Sequence, residues 1–142
     1  MNSKALTTAC AIVGSFIALT SAASAEKMTM KVALNSAAEV PPNNSKATGT
    51  ADVTFDTATK LLTWKVNYSG LTGAATMAHF HGPAEAGKNA AVVVPIPNTA
   101  SGAEGSATLT DAQAADLLAG RYYINVHTEA NKGGEIRGQV TK

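Results

Sequence analysis

Hydrophobic and polar residues alternate along this chain in short segments that are separated by turns. In residues 28–35, apolar residues such as Met30 and Val32 fall at every second position, which predicts a strand with one buried face. The segments 47–56 and 60–71 show the same alternation on either side of a short turn and predict a hairpin. Further segments have strand patterns: 75–82, 90–97, 102–109, 121–128 and 134–140.

One segment departs from the β pattern. Thr110 can cap a helix over residues 110–119, Gln113 completes a capping box, and Gly120 suits the end of the helix. Roughly eight short strands and one short helix predict an all-β fold, a Greek-key β-sandwich or barrel of antiparallel strands.

The N-terminus has the parts of a secretory signal peptide. Lys4 supplies positive charge, residues 9–19 form an apolar run, and an A-x-A sequence ending at Ala25 supplies a cleavage site. We therefore predict a signal peptide at residues 1–25, one mature domain at residues 26–142, and a periplasmic or secreted location. The single cysteine lies within the predicted signal peptide, so the mature chain can form neither a disulfide nor a thiolate metal site.

Charge limits the partners of the mature chain. Removal of Lys4 leaves ten of the eleven Lys and Arg residues against ten Asp and Glu residues, so the net charge is close to zero. No basic cluster indicates a nucleic-acid site, and no cationic amphipathic segment indicates a membrane surface. We therefore expect neither nucleic acid nor, after signal removal, a membrane as a partner.

Two of the three histidines, His79 and His81, lie on one predicted strand with a single residue between them. Because alternate residues of a strand point to the same face, they share a face with Met77. Phe80 takes the opposite face and is expected in the core. The two imidazoles are therefore expected to point away from the core together.

The third histidine, His127, lies on the predicted strand at residues 121–128. Alternate apolar residues from Tyr122 to Val126 predict the buried face of that strand, so His127 points outward together with Asn125. If this strand pairs with the last one as a hairpin, His127 lies near Glu135 or Arg137. Strand parity alone places all three histidines on the solvent side of the sheet.

A His-x-His pair on a strand is a good metal chelate, because the two side chains start about 6–7 Å apart and can converge on one ion. A histidine from a neighbouring strand adds a third nitrogen and leaves an open position. The predicted ligands are His79, His81 and His127. Imidazole ligands suit copper or zinc, and the lack of sulfur and of a carboxylate triad ranks copper first. Zinc with three histidines and an open water position, as in a zinc hydrolase, is the alternative.

Four other residues are candidates for supporting roles. Glu39, Glu135 and Met77 are candidates for a fourth ligand or for a contact that orients an imidazole. The alternative is a solvated charge for each carboxylate and the filling of a packing gap for the methionine. Arg137, on the outward face of the last strand, is a candidate for steering anions to an open metal position, and pairing with Glu135 or Glu129 is its alternative.

Three separated motifs resemble the CHRD domain, a module named from chordin and common in bacterial secreted proteins. They are AEVPP at 38–42, AHFHGPA at 78–84, and YINVHT at 123–128 followed by GEIRGQ at 134–139. The motifs occur in the family's order and cover nearly the whole mature chain. Because chordin is an extracellular protein that binds growth factors, the resemblance implies a secreted binding module without implying a particular chemistry.

The site pattern is also similar to that of copper-zinc superoxide dismutase, a Greek-key β-sandwich. Its His-x-His pair, later histidine and closing-strand arginine resemble four residues of this chain: His79, His81, His127 and Arg137. The mature sequence has no bridging histidine, no His-rich zinc loop and no disulfide cysteines. The resemblance therefore implies at most a copper-only site.

Two classes of function follow from these patterns. One is a periplasmic or secreted copper-binding protein, with superoxide as the substrate if the metal turns over. The other is a non-enzymatic extracellular module, in which the loops at 37–44 and 81–89 bind a protein or a glycan.

Overall fold

A computed structural model describes residues 25–142 of the protein. The predicted signal peptide, residues 1–25, lies outside the described residues except for Ala25. Within the described part, no helix has the length and apolar character needed to cross a membrane.

The described chain folds into short strands with two helical segments. The strands are β1 (Lys27–Asn35), β2 (Thr48–Asp56), β3 (Leu61–Ser69), β4 (Ala75–His81), β5 (Val92–Pro95), β6 (Ala103–Thr108), β7 (Tyr122–Thr128) and β8 (Ile136–Val140). A 3₁₀ helix (Ser36–Ala38) follows β1, and α1 (Asp111–Leu118) precedes β7. The predicted strands and helix are confirmed, with small differences at their ends.

All these strands form one antiparallel sheet in the order β5-β4-β7-β8-β1-β2-β3-β6, which curls into a nearly closed barrel. The prediction of an all-β fold with antiparallel strands is thus confirmed. β4 and β7 are neighbours although β5, β6 and α1 lie between them in the sequence. Pro95 belongs to β5 at one edge of the sheet, where the missing N–H of proline is tolerated.

The alternation of apolar residues explains how the barrel buries its core. In β1, Met30 and Val32 are buried, whereas Lys31 between them is exposed. Trp64 of β3 contacts Phe80 of β4 edge-on, with ring centroids 5.2 Å apart. Because β3 and β4 are not neighbours in the sheet, this contact crosses the barrel interior. Burial of each such large apolar side chain contributes about 1.5–3 kcal/mol.

α1 begins at the predicted capping box. Thr110 Oγ1 accepts from the Gln113 main-chain N–H, and the Gln113 side chain accepts from the Thr110 main-chain N–H. Ala114 and Leu117 are buried in the barrel core, and this packing holds a helix too short to be stable alone.

β7 differs from most other strands because both of its faces are buried. Its inner face packs in the apolar core. On its outer face, Tyr123 contacts Ala90 in residues 82–91, which connect β4 to β5 and which we call the covering loop, and His127 contacts Lys132 in the β7–β8 turn. Side chains of β8 on the same outer face bind the main chain of this loop. Arg137 Nη2 donates to Lys88 O at 2.6 Å, and Gln139 Nε2 donates to Ala84 O at 2.9 Å.

Candidate metal site

The pairing of β4 with β7 brings the three histidines together. Met77 lies opposite His127 and His79 lies opposite Asn125, so these residues share the outer face with His81. One ring nitrogen of each histidine lies within 4.8 Å of the corresponding nitrogen of the other two. His79 Nδ1 is 3.2 Å from His127 Nε2. The predicted grouping of three histidines is therefore present in the structure.

The prediction that these histidines face solvent is wrong. His81 is 9% exposed and His127 is 5% exposed, while His79 is half-buried. Strand parity assigned the correct face, but the covering loop contacts His81 and the β7–β8 turn contacts His127, so this face is not open to solvent. A polar pattern on one face of a strand does not distinguish the two cases, because polar groups of a loop satisfy buried polar side chains as water does.

Main-chain carbonyls fix the orientation of two imidazoles. His81 Nδ1 lies 2.9 Å from Ala90 O in the covering loop, and His127 Nδ1 lies 2.8 Å from Lys132 O in the β7–β8 turn. A carbonyl oxygen can only accept, so each Nδ1 carries the proton. In the neutral rings, each Nε2 therefore presents a lone pair to the centre of the site, as a metal ligand must.

Tyr123 supports the ring of His81. The two rings stack with centroids 4.8 Å apart and an interplanar angle of 2°. The Arg137 guanidinium lies over the Tyr123 ring, with its Cζ 3.3 Å from the centroid, in a cation–π contact. The ring plane of His81 is thus held by packing as well as by its hydrogen bond.

Sequence reasoning missed the central position of Asn125. Its Oδ1 lies 3.0 Å from His81 Nε2 and 2.9 Å from His127 Nε2, and the side chain is 2% exposed. The signal was present in the sequence, because Asn125 precedes His127 by two residues and so shares its face. The pattern placed the residue correctly but did not predict how closely it approaches both rings.

The surroundings of His79 and His127 favour the neutral form of both rings. Burial lowers the pKa of His79, and the nearby His127 and His81 lower it further. Burial also lowers the pKa of His127, against the opposing effect of its hydrogen bond to Lys132. Neutral imidazole is the form that binds a metal ion, so near neutral pH a metal ion competes with few protons for these ring nitrogens.

Glu39 lies near the site without joining the three histidines. Its carboxyl is buried, and Oε1 has no hydrogen-bond partner among the described residues. Burial raises the pKa of Glu39 to about 7, although the positive charge of Arg137 opposes this shift. A Cβ at Gly134 would lie 2.3 Å from Glu39 Oε1 and 2.8 Å from Asn125 Nδ2, so only glycine leaves these two groups room.

Glu135 binds hydroxyl groups and a main-chain amide, and no hydrogen bond joins it to a histidine among residues 25–142. Ser45 Oγ donates to Oε1 at 2.6 Å, Thr72 Oγ1 to Oε2 at 2.7 Å, and Thr128 Oγ1 to Oε2 at 2.6 Å. Burial alone would raise the pKa of Glu135, but these hydrogen bonds outweigh it and lower the pKa to about 2. Its role as a ligand stays a prediction that these contacts do not favour.

Met77 and Arg137 differ sharply in their exposure to solvent. Met77 is 47% exposed and lies beside His79 on the open side of the site. Arg137 is 2% exposed, and its Nη1 donates to Asn89 Oδ1 at 2.9 Å. The expectation that Arg137 is exposed is therefore wrong, and its partners are loop atoms in place of Glu135 or Glu129.

Comparison with known proteins identifies the family of this domain. A search of curated proteins and a search of solved structures found no match. The family model described as CHRD domain matches residues 30–140. CHRD domains occur in extracellular proteins, in agreement with the resemblance of the three motifs. The match spans most of the sequence, and the chain therefore belongs to the CHRD domain family.

Proposed function

We propose that this protein is a secreted or periplasmic CHRD domain that binds one copper ion through His79, His81 and His127, with zinc as the alternative metal. The observation that supports this proposal most is the convergence of three ring nitrogens from two adjacent strands. Three imidazoles leave a coordination position open, which is typical of sites that exchange or react with a ligand.

The hydrogen bonds of the site favour a cation at its centre. His81 and His127 use their Nδ1 protons on main-chain carbonyls, so their neutral rings have acceptor Nε2 atoms. Both Nε2 atoms face another acceptor, Asn125 Oδ1. A metal ion removes this conflict, because every lone pair then points to one positive charge.

The types of donor favour copper over zinc. For a given set of nitrogen and oxygen ligands, Cu²⁺ binds more tightly than Zn²⁺. Within residues 25–142, the cluster that could hold an ion contains histidines without a carboxylate. Carboxylates and water are the preferred ligands of Mg²⁺ and Ca²⁺, which this cluster therefore disfavours.

Redox turnover with superoxide would extend this proposal, but Arg137 does not support it independently. A steering residue attracts anions through the solvent at the entrance of a site. Arg137 is instead buried beneath the covering loop and bound to Lys88 O and Asn89 Oδ1. The proposed function is therefore copper binding, and dismutation is a separate assay on the copper-loaded protein.

The alternative, a non-enzymatic interaction module, drew on the loops at 37–44 and 81–89. These loops contact each other, because Asn89 Nδ2 donates to Val40 O at 2.9 Å. Three residues of the second loop, Ala84, Lys88 and Asn89, also bind outer-face side chains of β8. Both loops thus have an internal role as a cover, and the geometry favours metal binding.

The test is a metal titration of the purified mature domain after chelation. We expect one Cu²⁺ per chain, with nitrogen hyperfine splitting in the EPR spectrum, and weaker Zn²⁺ binding in competition. A His79→Ala/His127→Ala double variant should lose this site, because two of its three imidazoles are gone.

Lys132→Ala is the matched control, since its exposed side chain lies beside the site while its main-chain carbonyl still accepts from His127. This variant should bind copper as the wild type does. An EPR spectrum of the double variant that is identical to the wild-type spectrum would show that these histidines are not the copper ligands.

A further inference from the structure

We infer that Asn125 supplies a fourth ligand, its carboxamide oxygen Oδ1, so that the metal site is N₃O instead of three histidines alone. This inference rests on the proposed metal binding and concerns the same site. It assigns a ligand on β7 that neither the spacing of histidines nor the charged residues nearby indicate.

The spacing of the atoms fits a common coordination sphere. Ligand atoms at about 2.0–2.1 Å from one ion lie about 2.9 Å apart at right angles and about 3.4 Å apart in a tetrahedron. Asn125 Oδ1 lies 2.9 Å from His127 Nε2 and 3.0 Å from His81 Nε2. His127 Nε2 lies 3.2 Å from His79 Nδ1. Each successive pair among these four atoms is thus separated by a distance expected for neighbouring ligands of one ion.

The two shortest spacings also indicate the geometry. Values near 2.9 Å correspond to angles near 90°, which are typical of tetragonal Cu²⁺ with nitrogen and oxygen ligands. A tetrahedral zinc site would need these atoms to separate by about 0.4 Å. The N₃O arrangement is thus compatible with copper, the metal that the donor types favour.

The orientation of the amide supports Oδ1 as the inward atom. Asn125 Nδ2 points to Gly133 O at 3.5 Å, and a reversed amide would place an oxygen against that carbonyl. The side chain has little freedom to turn away. It is 2% exposed, and the space beside it is limited by Glu39 on the other side of Gly134.

The other candidates for the fourth position fit less well. Glu135 has hydroxyl and amide partners on both carboxylate oxygens and no hydrogen bond to a histidine. Glu39 is absent from the cluster of converging ligand atoms. Met77 is 47% exposed, so much of its side chain lies in solvent.

The experiment compares Cu²⁺ affinity and EPR spectra of wild type, Asn125→Asp and Asn125→Leu. Asp keeps an oxygen in the same place and adds charge, so we expect binding at least about tenfold tighter and changed g and copper hyperfine values. Leu removes the oxygen, and we expect binding at least about tenfold weaker with nitrogen splitting retained. Asn89→Asp is the control, because it adds the same charge near Arg137 and should leave the spectrum unchanged.

The outcomes distinguish failure of the fourth ligand from failure of the proposed copper site itself. An Asp variant with wild-type affinity and spectrum overturns the fourth ligand and leaves the three-histidine site standing. Wild-type protein that binds no copper overturns the proposed function itself. Should the Leu variant fail to fold, the isosteric Asp variant alone decides, with its circular dichroism spectrum as the check of folding.

Discussion

Two buried glutamates show how the partners of a residue set its charge. Glu39 lacks a hydrogen-bond partner at Oε1, and burial raises its pKa to about 7. Glu135 is also buried, but hydrogen bonds from Ser45, Thr128 and Thr72 outweigh the effect of burial and lower its pKa to about 2. The same side chain is therefore half-protonated near neutral pH in one place and ionised in the other.

Glu39→Gln should stabilise the metal-free protein above neutral pH. The folded pKa of about 7 lies above the ordinary value of 4.5, so the folded state binds more protons and stability falls as pH rises between these values. Glutamine has no charge to bury, and we expect a gain of up to about 3 kcal/mol at pH 8 and little change at pH 4. Urea unfolding at both pH values measures this change in the free energy of unfolding, with Glu85→Gln at an exposed position as the control. A gain of equal size at pH 4 would contradict the charge explanation.

At the scale of elements, Glu135 joins three connections that strand pairing does not join. It lies just before β8, and it accepts from Thr72 in the β3–β4 connection and from Ser45 in the segment before β2. Thr128 at the end of β7 completes the set. A single carboxylate thus ties the loops at one end of the barrel to the β7–β8 turn.

Glu135→Gln should weaken the barrel at neutral pH and alter its response to acid. The folded pKa of about 2 lies below the ordinary 4.5, so the stabilisation is present above pH 4.5 and is lost as pH falls toward 2. We expect the free energy of unfolding of the variant to be about 2 kcal/mol lower than that of the wild type at pH 7, and to fall less than that of the wild type as the pH is lowered. Thermal unfolding from pH 2 to pH 7 measures both effects. Glu129→Gln on the same turn is the control, because its exposed ion pair contributes little, and an equal loss there would refute the assignment.

The elements were predictable because local patterns determine them. The alternation of apolar residues predicted most of the strands, the valine-rich run at 90–97 predicted β5, and the Thr110–Gln113 capping box predicted the helix. Parity placed His79, His81 and His127 on outward faces, but the pairing of β4 with β7 that groups them joins segments far apart in the sequence, and no local pattern specified it. The burial of Arg137 was not predictable, because it depends on the path of the covering loop, which no local pattern specifies.

At the scale of the molecule, the protein has two buried regions. One is the apolar interior of the barrel. The other, which we call the polar interior, lies outside the barrel wall, against the outer faces of β4, β7 and β8, and contains the candidate metal site. The polar interior holds three imidazoles and the carboxamide oxygen of Asn125 close together. Without a cation, the facing acceptor atoms of this cluster destabilise the folded state, so metal binding and folding should be linked.

Copper should therefore raise the thermal stability of the whole domain. Free Cu²⁺ at one hundred times the dissociation constant stabilises the folded state by about 2.7 kcal/mol, which corresponds to a rise in Tm of about 10 °C. Differential scanning calorimetry with and without copper measures the shift. The His79→Ala/His127→Ala variant should show no such rise, and an equal rise in that variant would show that the stabilisation comes from elsewhere.

The double burial of β7 has a consequence for the tolerance of the chain to mutation. In β2, a new side chain at an exposed position such as Asp52 can extend into water. From Tyr122 to Thr128 no such position exists, since all seven residues are buried. Each substitution there must be accommodated by one interior or the other, and parity decides whether it disturbs packing or polar contacts. β7 is thus the strand with the least freedom to vary.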